Sequence, residues 1–282
     1  MRLQFLGSAA SESIPALWCE CENCRKAARL GGRNLRRRTA YLVGDHTLVD
    51  FGPDANWQAK EFRLDPSKVE RLLVTHSHVD HFSPVELLWR SRNFSAGNRP
   101  LRLFCNEAVL RELENRVRSC GMGSGAADVR VEPVPLRPGA PVTDGALEIL
   151  PIRASHGEGE CALNFLLSEA ERNILIANDT GWWPPESWEL VRGRKLDAAV
   201  IEMSMGIRLP YAFERGKHLG AQAAIAFRDR LAELGAVDAS TRVAMTHISH
   251  HVGATHEELE EYFRPCGIEV GYDGLILEGG AQ

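Results

Sequence analysis

The sequence predicts an α/β sandwich, two sheets packed face to face with helices outside, and three observations lead there. Apolar runs recur along all 282 residues with turn residues between them. Strand-like runs come early and in pairs, while segments of helical spacing intervene later. Several strand-like runs are too apolar to alternate, as befits strands covered on both faces. Hydrophobic residues at 44% can fill a sizeable core. No repeat, linker or domain boundary stands out, so residues 1–282 read as one domain.

In order, the expected strands are 2–6, 41–43, 47–50, 72–75, 101–104, 147–152, 164–167, 173–177, 198–202, 243–246 and 268–271. Ser83-Pro84-Val85-Glu86 reads as a capping box with proline at the first helical position, so a helix should start there. Residues 109–117 and 221–234 carry helical spacing of apolar side chains. Thr255-His256-Glu257-Glu258 reads as a second capping box, opening a helix to about Phe263. Residues 121–125 read as a flexible loop, and His46 falls in an expected hairpin turn.

A net charge of −5 implies no general polyanion-binding surface. The start, Met-Arg-Leu-Gln-Phe-Leu-Gly-Ser, lacks the apolar stretch of a secretion signal. No apolar run approaches the ~18 residues of a membrane span. A cytoplasmic protein is expected. Of seven cysteines, three crowd into Cys19–Cys24, and clustered thiols in that compartment favour metal over disulfides.

The chemistry concentrates in Thr75-His76-Ser77-His78-Val79-Asp80-His81. The i, i+2 spacing lets His76 and His78 converge on one ion, while Asp80 and His81 turn toward a second. Hydrolytic metals take imidazole and carboxylate ligands and keep positions open for water. Two ions ~3.5–4 Å apart can share a hydroxide and clamp both oxygens of a displacement. Further ligands should follow other strands: His156 after 147–152, Asp179 after 173–177, and His247 at the end of 243–246. Any of these three alone could be an ordinary turn residue; together with the histidine string they form a two-metal set.

This pattern resembles the metallo-β-lactamase superfamily over nearly the whole chain. The resemblance implies an αββα sandwich with the site at one edge. It implies that His76, His78 and His156 hold one metal, that Asp80, His81 and His247 hold the other, and that Asp179 bridges them.

Trp18-Cys19-Glu20-Cys21-Glu22-Asn23-Cys24 offers three thiolates, forming a small zinc-binding loop near 18–25. Structural zinc takes four ligands in a closed tetrahedron, so one is missing locally. His250 is the candidate, three residues after His247; His251 and His256 are the alternatives. Cys105, Cys120, Cys161 and Cys266 are scattered and read as apolar filler.

The cysteine loop, the histidine string and Thr246-His247-Ile248-Ser249-His250 together resemble the PhnP-type phosphoribosyl 1,2-cyclic phosphate phosphodiesterases of phosphonate catabolism. That resemblance implies manganese or zinc at two catalytic sites, a separate structural zinc, a small phosphorylated substrate such as a ribose cyclic phosphate, and a homodimer. It implies catalytic roles for Asp80 and for His218, the latter as general acid to the leaving alkoxide, although the flanking Arg215-Gly216-Lys217-His218 departs from the family form. An imidazole titrates near neutrality and suits that task. The pyrroloquinoline quinone biosynthesis B proteins are similar over the first 24 residues. That second likeness would imply a non-catalytic biosynthetic or carrier protein, against which the intact histidine string stands. A hydrolase of another ester or amide, such as a lactonase or nuclease, is the remaining alternative. No nucleic-acid or membrane partner is expected.

Arg33, Arg36, Arg37 and Arg38 read either as solvated surface or as a phosphate site. Lys217 and Arg208 are weaker phosphate candidates. Trp182-Trp183-Pro184-Pro185 either lines the pocket or packs in the core.

Overall fold

A computed structural model describes residues 1–97, 99–212 and 218–278. The first half of the chain runs β1 (Arg2–Gly7), α1 (Glu22–Leu30), β2 (Ala40–Val43), β3 (Thr47–Val49), α2 (Ala55–Glu61), β4 (Arg71–Leu73), α3 (Val85–Leu88), β5 (Leu101–Cys105), α4 (Glu107–Ser119) and β6 (Val131–Pro135). The second half runs β7 (Val142–Asp144), β8 (Leu147–Arg153), β9 (Leu163–Glu169), β10 (Arg172–Ala177), α5 (Pro185–Glu189), β11 (Ala198–Glu202), α6 (Ala221–Glu233), β12 (Arg242–Thr246), α7 (His256–Phe263), β13 (Glu269–Val270) and β14 (Ile276–Glu278).

Two seven-stranded sheets result, ordered β14-β1-β2-β3-β4-β5-β6 and β13-β12-β11-β10-β9-β8-β7. Their mutual core holds Phe5, Tyr41, Leu73 and Phe104 from the first and Ile149, Phe165, Ile176 and Val200 from the second, all buried. On the outer face of the second sheet, Phe227 of α6 and Phe263 of α7 pack with Ile201 and Met245. On the outer face of the first, Leu113 and Val117 of α4 pack with Leu72 and Leu103. Successive residues of one strand thus serve opposite cores, Leu72 outward and Leu73 inward, which is why such runs are continuously apolar. This is the metallo-β-lactamase fold, an αββα sandwich.

Strands β3 to β6 are mutually parallel, as are β10 to β13. Their carboxyl ends therefore gather at one edge, where α/β sheets place their ligands.

Two details correct the sequence reading and one bears it out. Strand β4 stops at Leu73, because Thr75 turns its N–H and Oγ1 onto Asp50 Oδ1, both at 2.9 Å. No capping box forms at Ser83: Pro84 is the N-cap of α3, a single turn, and Glu86 instead accepts from Asn56 at 3.2 Å. The second box is formed, with Thr255 Oγ1 receiving Glu258 N and Glu258 receiving Thr255 N. No helix among the described residues is long and apolar enough to cross a membrane.

Candidate active site

The predicted residues meet at the shared carboxyl edge. After β4 the chain makes a tight loop, and Phe51 N bonds His81 O at 2.7 Å to hold it. Gly52 permits this approach, since a Cβ there would lie 2.0 Å from the Asp80 carbonyl oxygen. His156 follows β8, Asp179 follows β10 and His247 follows β12.

Two four-residue groups form, His76–His78–His156–Asp179 and Asp80–His81–Asp179–His247, each with its donor atoms within 4.8 Å of one another. Asp179 is common to both. Its Oδ2 stands 3.4 Å from His76 Nε2, 3.4 Å from His156 Nε2 and 3.0 Å from His81 Nε2, while its Oδ1 stands 3.0 Å from His247 Nδ1. Apart from exposed His78, all are buried. His76 Nε2 has no hydrogen-bond partner although fully enclosed, as expected of an imidazole lone pair meant for a metal.

The electrostatics agree. Burial opposes charge here, yet the His81 and His247 rings hold the Asp80 and Asp179 carboxylates well below the usual range. Conversely, burial is outweighed by Asp179 at His247, which rises to about 10, and by Asp80 and Asp179 at His81. The two buried carboxylates thus demand positive charge beside them. Divalent ions would supply that charge, and their binding would compete with protons for these rings. The donor set fits two such ions. The backbone is strained at the same place, with Asp50 (φ 63°), Asp179 (41°) and His247 (52°) all in the left-handed region.

Three supporting residues escape the sequence reading. Asp50 Oδ2 lies 2.7 Å from His81 Nδ1 and fixes that ring. Glu160 accepts from Ser77 N and Oγ and, at 2.9 Å, from Asn106 Nδ2, tying the loop of His156 to the loop of His76 and His78. Glu202, wholly buried at the end of β11, accepts from Thr180 N, Gly181 N and Ser204 Oγ, and its Oε2 lies 3.1 Å from His218 Nδ1. Glu202 joins a third cluster with Asp179, His218 and His247. Because both of its oxygens are already engaged, it orients His218 better than it could ligate. Burial works against the His218 imidazolium, but Glu202 and Asp179 outweigh it and raise its pKa.

Cys19, Cys21, Cys24 and His250 come together as a separate group, with Cys21 and Cys24 Sγ at 3.6 and 3.5 Å from His250 Nδ1. The sulfurs also receive backbone N–H groups, Cys21 from Cys24 and Cys24 from Ala16, at 3.4 and 3.3 Å. Three thiols and one imidazole suit a closed tetrahedral zinc. His251 is exposed, and His256 lies elsewhere, bonded by Arg36.

The arginine run divides: Arg33 is exposed, as a solvated surface predicts, while Arg36, Arg37 and Arg38 are partly or wholly buried in structural contacts. Arg36 is buried, bonding Ser8, the Gly271 carbonyl and His256. Arg33 pairs with Glu260, Arg37 with Asp273 and Arg38 with Asp54. Lys217 lies outside the described residues. Trp183 packs in the core with Phe227, while Pro184 joins Arg153, Ser155, His156, Glu160 and Cys161 around a polar cavity of about 330 Å³.

A family model described as a beta-lactamase superfamily domain matches residues 46–248. The chain is 26% identical to an octanoyltransferase of Porphyromonas gingivalis, over 98% of this chain and 51% of that protein, so it spans about half of it. It is 22% identical to coenzyme PQQ synthesis protein B of Azoarcus, covering 98% of this chain and 99% of the relative. Among solved structures, a diphosphatase of the PhnP family superposes with a TM-score of 0.73 at 22% identity, over 98% of this chain and 97% of that one.

Proposed function

The chain belongs to the β-lactamase superfamily, and from that premise we propose that it is a metal-dependent phosphodiesterase acting on a cyclic phosphodiester such as phosphoribosyl 1,2-cyclic phosphate. The observation that carries this reading is His218, held 3.1 Å from buried Glu202 and 3.5 Å from Asp179, at the edge of the candidate ligand cluster. Opening a ring phosphodiester expels an alkoxide, a poor leaving group that needs a proton. Glu202 fixes Nδ1 and favours the imidazolium, leaving Nε2–H to donate. Likeness to a diphosphatase supports phosphate chemistry.

His76, His78 and His156 would hold one divalent ion and Asp80, His81 and His247 the other, with Asp179 between them. When bound, two ions, manganese or zinc, would supply an activated water and neutralise phosphate charge. The chain's own residues do the rest. Asp50 and Glu160 hold the ligand loops, the strained turns at Asp179 and His247 preset the geometry, and the cavity beside His156 offers Arg153 and Ser155 to the rest of the substrate. Cys19, Cys21, Cys24 and His250 would hold a structural zinc. Likeness to coenzyme PQQ synthesis protein B favours a carrier role, against which stands the complete ligand set.

The test is a panel of bis-aryl phosphodiester, ribose 1,2-cyclic phosphate, diphosphate ester, lactone and β-lactam, with added manganese or zinc. Turnover of the phosphodiesters, lowered about 10²–10⁴-fold on the cyclic substrate by His218→Ala, is expected. Turnover of lactone alone, or of nothing, defeats the proposal.

A further inference from the structure

A second cavity, of about 520 Å³, lies between the outer face of the first sheet and helices α2 and α3. None of the candidate metal ligands lines it. The space exists because small side chains stand where larger ones would close the packing: Ala40 on β2 and Ala55 and Ala59 on α2. The wall is mostly apolar, with Leu48, Leu64 and Leu87 beside polar Asn56 and Gln58. Its size falls in the ~300–1,000 Å³ range of small-molecule sites, and its apolar lining is left to water when nothing else fills it.

Cations outnumber carboxylates around it, three to two. Five charged side chains contribute to the lining: Asp50, Glu86, Lys60, Arg63 and Arg90. Asp50 is occupied by Thr75 and His81, Glu86 by Asn56, and Arg90 donates to the Arg99 carbonyl. Lys60 and Arg63 are exposed and form no ion pair among the described residues. The cavity therefore combines a largely apolar lining with two exposed, unpaired cations.

We propose that this cavity binds a free medium-chain carboxylate, its tail among Leu48, Leu64 and Leu87 and its head group at Lys60 and Arg63. At roughly 30 Å³ per carbon unit, about the share of one water in liquid, a chain of about eight to twelve carbons fills half to two-thirds of the space. A neutral apolar molecule would ignore the two cations, and an alkylammonium would face both of them with half-buried Glu86 as its one accessible counter-charge in the lining. Asp50 and Phe51 belong both to this wall and to the segment gripping His81, so the bound chain lies directly behind the candidate metal centre.

Titration calorimetry with octanoate, decanoate and dodecanoate, below their micelle concentrations and on the metal-loaded protein, tests this. Each added methylene should tighten binding about fourfold (~0.8 kcal/mol) until the cavity is full. Ala59→Phe should weaken dodecanoate at least tenfold by filling the space. The surface pair Lys60→Glu/Arg63→Glu, which leaves the packing intact, should weaken dodecanoate at least tenfold and raise the affinity for dodecylammonium. Absence of binding, equal binding of dodecanoate and dodecylammonium by the unaltered protein, or affinity unchanged in the charge-reversed pair would overturn the proposal.

Discussion

Replacing Glu202 by Gln isolates the electrostatic half of the proposed proton donor. The side chain keeps its shape, and its remaining carbonyl oxygen can still accept from Thr180 N and Gly181 N, which hold Oε1 at 3.0 and 3.1 Å. What disappears is a buried negative charge 3.1 Å from His218 Nδ1. At an effective dielectric near 20, two unit charges at that spacing attract by about 5 kcal/mol, an upper bound. Opposite charges this close shift a pKa by about 1–3 units, or ~1.4–4 kcal/mol. The sign is fixed: Glu202 raises the His218 pKa, so its loss lowers the pH above which the acid is deprotonated. The alkaline limb of kcat on a poor alkoxide leaving group should move down by about one to three pH units. With nitrophenolate, which leaves without a proton, the profile should barely move. A limb that stays in place in Glu202→Gln, or equal losses on both leaving groups, would show that His218 is not the donor.

Glu160→Ala, which frees Ser77 and Asn106, should weaken the catalytic metals by up to about 10-fold, the lower end of the cost of losing a support bonded to a ligand itself, in competition with a chelator, while the cysteine site is unaffected. Cys21→Ser and His250→Ala should each remove one zinc per chain and lower Tm by several degrees, at about 2–4 °C per kcal/mol for a chain of this length; full zinc content and unchanged melting in both would exclude the site. Burial, and then Arg36, lower the pKa of His256 to about 4, because Arg36 Nη2 donates to its Nδ1 at 2.8 Å. A depressed imidazole stabilises the fold above its unfolded pKa near 6.5 and loses that contribution as pH falls toward 4. Between pH 7 and 5, urea unfolding should therefore show about 2 kcal/mol more destabilisation in the unaltered chain than in His256→Gln.

The interior strands were readable because both of their faces are buried, which leaves an unbroken apolar run. The strands missed by that signal, β6, β7 and β14, are all sheet edges. Strand β6 carries Pro133 and Pro135, tolerated where no further ladder must form. Helix α1 was invisible for another reason: its N-cap is Cys21, whose sulfur accepts from Cys24 N. The ligands announced themselves through type and spacing. Their supports did not, because Asp50, Glu160 and Glu202 act on His81, Ser77 and His218, which lie 31, 83 and 16 residues away. A lone carboxylate at a strand end carries no local mark of what it will hold. The arginine run misled for the same reason: Arg38 pairs with Asp54 nearby, but Glu260, His256 and Asp273, which engage Arg33, Arg36 and Arg37, lie more than 200 positions on.

Those separations bear on how the molecule is made. Cys24 and His250 are 226 residues apart, Ala9 bridges Ile248, and β1 has β14 as one of its two neighbours. During synthesis the amino-terminal segment emerges first and has its partners last. At about 5–20 residues per second, its thiols and half of β1 wait roughly ten to fifty seconds for them. Throughout that interval the emerging chain presents an open strand edge to whatever else is present, so its yield in the cell should depend on chaperones more than its final stability would suggest.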